Sequence, residues 1–185
     1  MPPRPTVRLV AVDEDVLLRL LATAVGDADP AEVMAPVAGA PGWTPARREA
    51  FLGYHRARGA SMPRLPIGEV TYAVEVGADV VGALRLIAAP PNPLELEVGL
   101  WLGRSYRGHG VGSGALAAAV TRAAELGARS VVARTTAPNT AALAALRRHG
   151  FRLAGQDTEQ VTARLMLGGT AGPPLRGWTT RGTRP

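Results

Sequence analysis

The spacing of hydrophobic positions changes several times along the chain, and each change predicts an element. VRLVAV (7–12) reads as a short strand, after which Asp13 stands as an N-cap before a helix through Leu17, Leu18, Leu20 and Leu21. Residues Asp27 to Gly42 are rich in Pro, Gly and Ala and predict a connection. Thr44 followed by Pro45 opens a second helix to about Arg58, and Pro63 and Pro66 predict an exposed loop over Gly59 to Gly68.

VTYAVEV from Val70 and VVGALRLIA from Val80 flank Gly77-Ala78-Asp79 as a hairpin. In the strand that follows, Leu94, Leu96, Val98, Leu100 and Leu102 share one face, predicted to be core. Glu95, Glu97, Gly99 and Trp101 share the other, free to form a site. A glycine-rich turn at Arg107 to Gly112 precedes an alanine-rich helix over Ala115 to Leu126, and SVVARTT from Ser130 is a buried-type strand. Asn139 then introduces a helix over Thr140 to His149, stopped by Gly150, with strands near Phe151 and Val161. The order predicts one α/β domain with a mixed sheet. Residues 168–185 are expected to be a loose tail in which only Trp178 has the character to dock.

Composition removes whole classes of chemistry. The chain has no cysteine, so disulfides, thiolate metal sites and a cysteine nucleophile are excluded. All 21 basic residues are arginine, so there is no P-loop lysine, kinase lysine or Schiff-base lysine. The net charge of +6 points toward anionic ligands, but the arginines are scattered and aromatic residues make up only 4%, so no nucleic-acid surface is expected. No apolar stretch reaches membrane-spanning length and no signal-peptide pattern opens the chain, so a cytoplasmic protein without membrane contact is expected. No histidine pair has metal-ligand spacing, and no metal is expected.

The informative segment is EVGLWLGRSYRGHGVGSGAL (97–116), which passes from strand through glycine turn to helix with little spare length. Glycines at 108, 110 and 112 remove side chains, so backbone N–H groups at the helix start can converge on a pyrophosphate, with Arg107 adding charge. The spacing is not that of a dinucleotide fold, and no acidic residue follows at the required distance. Arg107-Gly108-His109-Gly110-Val111-Gly112 instead resembles the GNAT superfamily signature of Arg or Gln, two residues, Gly, one residue, then Gly or Ala. Asn139 and the closing Gly150-Phe151 resemble a second motif of that superfamily at its proper offset. EVGLWL is most similar to the ribosomal-protein-alanine N-acetyltransferase type, where the strand commonly reads Glu-Ile-Gly-Tyr-Trp-Leu.

The resemblance implies a GNAT fold, a mostly antiparallel sheet splayed to hold acetyl-CoA and flanked by helices. The domain would span 1–167, with 7–69 on the acceptor side and 70–167 as the coenzyme-binding core. Backbone of Leu100, Trp101 and Leu102 would run beside the pantetheine arm, Gly108, His109, Gly110, Val111, Gly112 and Ser113 would wrap the pyrophosphate, and Asn139 would contact the coenzyme. The implied reaction is transfer of acetyl from acetyl-CoA to a primary amine of a small molecule or protein N-terminus by direct attack, with a homodimer as an open possibility. Three positions depart from relatives: Leu146 where many carry a tyrosine acid, Ala142 where some carry serine, and Arg134 where certain members place a glutamate base. These motivate an alternative, a non-catalytic acyl-CoA-binding module.

Glu97, with Glu95 about 7 Å away along the same strand face, is the candidate base for the incoming ammonium. A polycationic acceptor such as an aminoglycoside requires Glu69, Glu75, Glu95 and Glu97 to gather as an acidic cleft. Trp43, Tyr54 and Tyr72 are candidates for an acceptor pocket against a packing role. His55 and His149 read as structural, His109 as solvent-facing beside phosphates, and Arg147–Arg148 as a solvated helix face.

Overall fold

The computed structural model describes residues 5–58, 68–155 and 159–168. Its elements are β1 (Val7–Ala11), α1 (Glu14–Asp27), α2 (Pro30–Val33), α3 (Pro45–Arg58), β2 (Glu69–Val76), β3 (Asp79–Ala89) and β4 (Asn92–Leu102). A 3₁₀ turn at Arg104–Tyr106 leads to α4 (Val111–Glu125), β5 (Ser130–Thr136), α5 (Thr140–Arg148), β6 (Arg152–Ala154) and β7 (Gln160–Met166). The strands form one sheet in the order β1-β2-β3-β4-β5-β7-β6. Every neighbouring pair is antiparallel except β4 with β5.

That parallel pair creates the feature on which a site depends. Its register runs only from Glu95↔Ser130 to Val98↔Ala133. Beyond it β4 continues to Leu102 against β3, while β5 continues to Thr136 against β7. The two strands splay, and the side of residues 99–102 that faced β5 is left without a strand partner, which water or a ligand must satisfy.

Apolar side chains cover both faces of the sheet, as alternation requires. On one face Leu84, Leu86, Leu96 and Val98 pack with Val111, Ala115 and Leu116 of α4 and Leu146 of α5. On the other, Ala73, Val80 and Ala83 pack with Leu17 and Leu20 of α1 and Phe51 of α3. Gly114 lets α4 approach β1 closely, since a Cβ there would lie 2.8 Å from Val7 Cγ2.

Several expectations change. The stretch predicted as a plain connection holds α2, whose first turn is a capping box between Asp29 and Glu32. Helix α4 starts at Val111, four residues before the predicted start, because Gly110 at φ +83° supplies the left-handed turn ahead of it. Leu100 is 40% exposed rather than core, because the strand that would cover it has splayed away. Glu95, placed on the open face, is 8% exposed. The predicted loop over Gly59 to Gly68 falls, except for Gly68, outside the described residues, as does the tail with Trp178.

Candidate functional site

Two cavities open on either side of the β4 end and share Gly99, Leu100, Trp101 and Glu32. The larger, about 570 Å³, fills the splay. Its floor is Val98 to Leu102, one end is Gly108, Gly110, Gly112 and Ser113, and its far wall is Ala133 to Thr135 with Asn139 and α5. No side chain caps α4, so the first-turn N–H groups of the helix remain available where the groove ends. Gly108 and Gly110 hold φ of +80° and +83°, and Gly112 leaves open the space beside Leu102 and Leu100. The arrangement suits a long ligand with an anionic group at the helix end and a narrow arm along β4.

Of the sequence-predicted residues, Leu100, Trp101, Leu102, Arg107, Gly108, Gly110, Gly112, Ser113 and Asn139 border this groove. His109 and Val111 do not: His109 is exposed, and Val111 is 2% exposed with its side chain in the core. Arg107 is more constrained than a free anion receptor. Its Nε donates to Leu102 O at 2.9 Å and its two terminal nitrogens donate to the two Glu32 oxygens at 3.2 Å each. The guanidinium therefore fastens α2 to the end of β4. Asn139 Oδ1 accepts from Ala142 N at 3.1 Å and caps α5. Ser113 Oγ and His149 Nε2, 2.9 Å apart, join the start of α4 to the end of α5. Leu146, Ala142 and neighbouring alanines face the groove, so α5 presents no proton donor at the tyrosine or serine position.

The second cavity, about 440 Å³, lies across β2, β3 and β4 beneath α2 and α3. One cross-strand row, Thr71↔Arg85↔Gly99, and the neighbouring pair Ala83↔Trp101 make its floor. Phe51, Tyr54 and His55 from α3 and Val33, Met34 and Val37 close it. Helix periodicity brings Phe51, Tyr54 and His55 to one face at i, i+3 and i+4. Tyr54 OH donates to Glu69 and accepts from Arg85 Nη1 at 3.2 Å. Burial first, then the Glu69 carboxylate, raises the Tyr54 pKa, so the phenol stays protonated. Burial also lowers His55 to about 4, aided by the Arg58 charge, so its imidazole is neutral at physiological pH. Thr71 Oγ1 is buried with no hydrogen-bond partner.

Glu69, Glu75, Glu95 and Glu97 do not form an acidic cleft. Glu75 pairs with Arg8 and Arg19, Glu69 with Arg58 and Arg85, Glu95 with Arg164, and Glu97 with Arg134. The expected repulsion between Glu95 and Glu97 is replaced by separate attachments, with Glu95 also accepting from Ser130 Oγ at 2.8 Å. Glu97 borders neither cavity, while its partner Arg134 borders the groove. Glu32 is, among the described residues, the one carboxylate bordering either cavity. The Arg107 hydrogen bond foremost lowers it to about 2, which makes it a fixed anion and a poor proton acceptor.

Trp43 and Tyr72 border neither cavity. Trp43 Nε1 donates to Ala28 O at 2.9 Å, and Tyr72 OH accepts from Arg122 Nε at 2.8 Å on the opposite face. Sequence reasoning missed Glu32, Thr71 and Arg85. The Asp29-x-x-Glu32 spacing signals a capping box and would have located the first, whereas only strand register brings Thr71 beside Arg85. Among the described residues, no cluster of His, Asp or Glu is arranged to hold a metal, and no helix is long and apolar enough to cross a membrane.

Residues 7–152 match the sequence profile described as acetyltransferase (GNAT) domain. No curated protein sequence matches the chain. Among solved structures, RimJ of Mycobacterium smegmatis in complex with a CoA disulfide is similar at a TM-score of 0.68 and 19% identity, over 90% of this chain and 86% of that one. The acetyltransferase of Salmonella typhimurium that modifies the N-terminal serine of ribosomal protein L7/L12 gives 0.63 and 21%, over 88% and 96%. The N-acetyltransferase PseH of Campylobacter jejuni in complex with acetyl coenzyme A gives 0.62 and 13%, over 88% and 99%. At these identities the likeness is one of fold.

Proposed function

The chain belongs to the GNAT acetyltransferases, enzymes that use acetyl-CoA as cosubstrate, and from that premise we propose that it acetylates a primary amine which enters the cavity under α2 and α3 and meets the acyl donor at Gly99 to Trp101. The single observation that carries this reading is that the groove and the second cavity converge on those three residues. Two reactants held on opposite sides of one strand end can react without a covalent enzyme intermediate, and a chain lacking cysteine can form none on a thiol.

Acetyl-CoA supplies an acyl group activated as a thioester. The first-turn N–H groups of α4 and the turn at Gly108 to Gly112 hold its pyrophosphate, and the unpartnered side of β4 offers hydrogen bonds to its arm. An N–H on the same strand side is placed to stabilise negative charge on the carbonyl oxygen. Asn139 keeps α5 in place and retains its Nδ2 donor for the ligand. With Leu146 and alanines on that wall, the leaving thiolate takes its proton from solvent.

The acceptor must lose a proton before it attacks. Burial and positive charge, which depress His55 in this cavity, act in the same direction on an alkylammonium and favour its neutral form. Release of that proton to solvent replaces a dedicated carboxylate base. The pairing of all four sheet-face carboxylates with arginine argues against a polycationic acceptor. A protein N-terminus is a second reading, favoured by likeness to an enzyme that modifies N-terminal serine. Coenzyme A thiol release, measured with acetyl-CoA and a panel of monoamines, amino acids, peptides and polyamines, tests the reading. Release that depends on both reactants is expected. Tight acetyl-CoA binding without turnover on any amine makes the chain a binding module.

A further inference from the structure

Arg85 occupies a position that amine transfer alone does not explain. Its Nη1 is tied back to Tyr54 OH at 3.2 Å, and the rest of the fork lies over Gly99. A Cβ built on Gly99 would stand 3.7 Å from Arg85 Nε and 4.0 Å from Nη2, in ordinary contact, so the guanidinium lies directly over the Gly99 backbone at the strand end. Gly99 borders both cavities, which places the Nε and Nη2 edge beside the site of transfer. Thr71, its cross-strand neighbour, contributes an Oγ1 that is buried and unpartnered and borders the same cavity.

The surrounding charges leave Arg85 incompletely neutralised. Glu69 is shared between Arg58 at 3.1 Å and Arg85 at 3.8 Å. At the other side of the cavity Glu32 is shared between Arg107 at 3.2 Å and Arg104 at 3.4 Å. Asp27 also faces Arg104 and Arg107, so the Glu32 cluster is balanced, whereas the single Glu69 carboxylate shared by Arg58 and Arg85 leaves an excess of positive charge at Arg85. A guanidinium edge over Gly99 and an unpartnered hydroxyl on the neighbouring strand can each donate to an oxygen of a carboxylate.

We infer that Arg85 and Thr71 form a carboxylate subsite and that the acceptor is an α-amino acid with an apolar side chain. The inference rests on the acetyl-transfer reading and narrows its substrate class. Because the guanidinium edge lies over Gly99, where the two cavities meet, a short separation between the anionic group and the reacting nitrogen, as in an α-amino acid, fits best. Phe51, Trp101, Met34 and Val33 provide the apolar volume for the side chain.

The test compares leucine, methionine and phenylalanine with their C-terminal amides and with dipeptides they begin. Thiol release and calorimetric binding are both measured on the full chain, for wild type, Arg85→Gln and Thr71→Val. Wild type is expected to prefer the free acids over the amides by tenfold or more in kcat/KM, because a carboxylate pairs with a guanidinium more strongly than a neutral amide does. Arg85→Gln should abolish that preference through KM. Thr71→Val, which removes an unpartnered hydroxyl and so keeps the fold, should raise KM for the acids severalfold. Amides or peptides used as well as the acids overturn the inference, and so does an Arg85→Gln variant that loses acid and amide activity equally. If no amine is turned over, acid binding that vanishes in Arg85→Gln upholds the subsite and removes the transfer reaction, whereas no binding of acids to wild type removes the subsite.

Discussion

Glu97 shows how a residue's partners decide its role. Its carboxylate is held by Arg134, whose side chain borders the groove, and on the proposed reading Glu97 positions that arginine instead of taking the substrate's proton. Glu97→Gln is therefore expected to keep kcat within a few-fold of wild type, because a partly exposed ion pair contributes only ~1 kcal/mol. A loss of roughly a hundredfold, recovered at high pH, would return Glu97 to the role of base. His55 makes a second residue-scale prediction. The unfolded chain protonates it near 6.5, whereas the folded chain resists until about 4. Its contribution to stability is complete above pH 6.5 and is lost as pH falls toward 4, on the order of 3 kcal/mol in all. His55→Phe keeps a ring against Phe51 and Tyr54 and should flatten the fall in Tm across that window. An unchanged pH slope would mean that His55 titrates normally in the folded protein.

At the scale of elements, strand β4, the glycine turn and helix α4 make the groove, and each was legible in residues 97–126. Glycine spacing and alanine content report local backbone needs directly, which is why that segment reads so well. The groove's width was not legible, since it depends on β4 and β5 parting after Val98 and Ala133, a matter of pairing between distant strands. For the same reason Leu100 follows the apolar alternation yet lies exposed in the splay. Helix α2 escaped notice because four residues in a Pro- and Ala-rich stretch carry no periodicity, and the cavity beneath α2 and α3 is assembled from segments that only the fold brings together. The glycine turn can be tested cleanly at Gly112, which does not need a left-handed backbone and where a Cβ meets Leu102 only at 3.6 Å. Gly112→Asp should fold normally and lose acetyl-CoA affinity by roughly a hundredfold or more, because a carboxylate would oppose the pyrophosphate at the helix start. Wild-type affinity in the folded variant would move the phosphate site elsewhere.

Across the whole molecule, the sheet acts as a partition. One face with α4 and α5 builds the groove proposed for the acyl donor, the other with α2 and α3 builds the cavity proposed for the amine, and β4 is the edge at which they meet. Glu32 and Arg107 clasp the two sides together, since α2 belongs to the acceptor wall and Arg107 to the turn at the groove's end. This geometry predicts that donor and acceptor are bound together when the acetyl group moves. The most direct measurement is initial-rate kinetics with acetyl-CoA and an accepted amine varied against each other. Intersecting double-reciprocal lines, with no acetylated enzyme detected by mass spectrometry when acetyl-CoA is supplied alone, are the predicted result. Parallel lines with a stable acetyl-enzyme would contradict direct transfer between the two cavities.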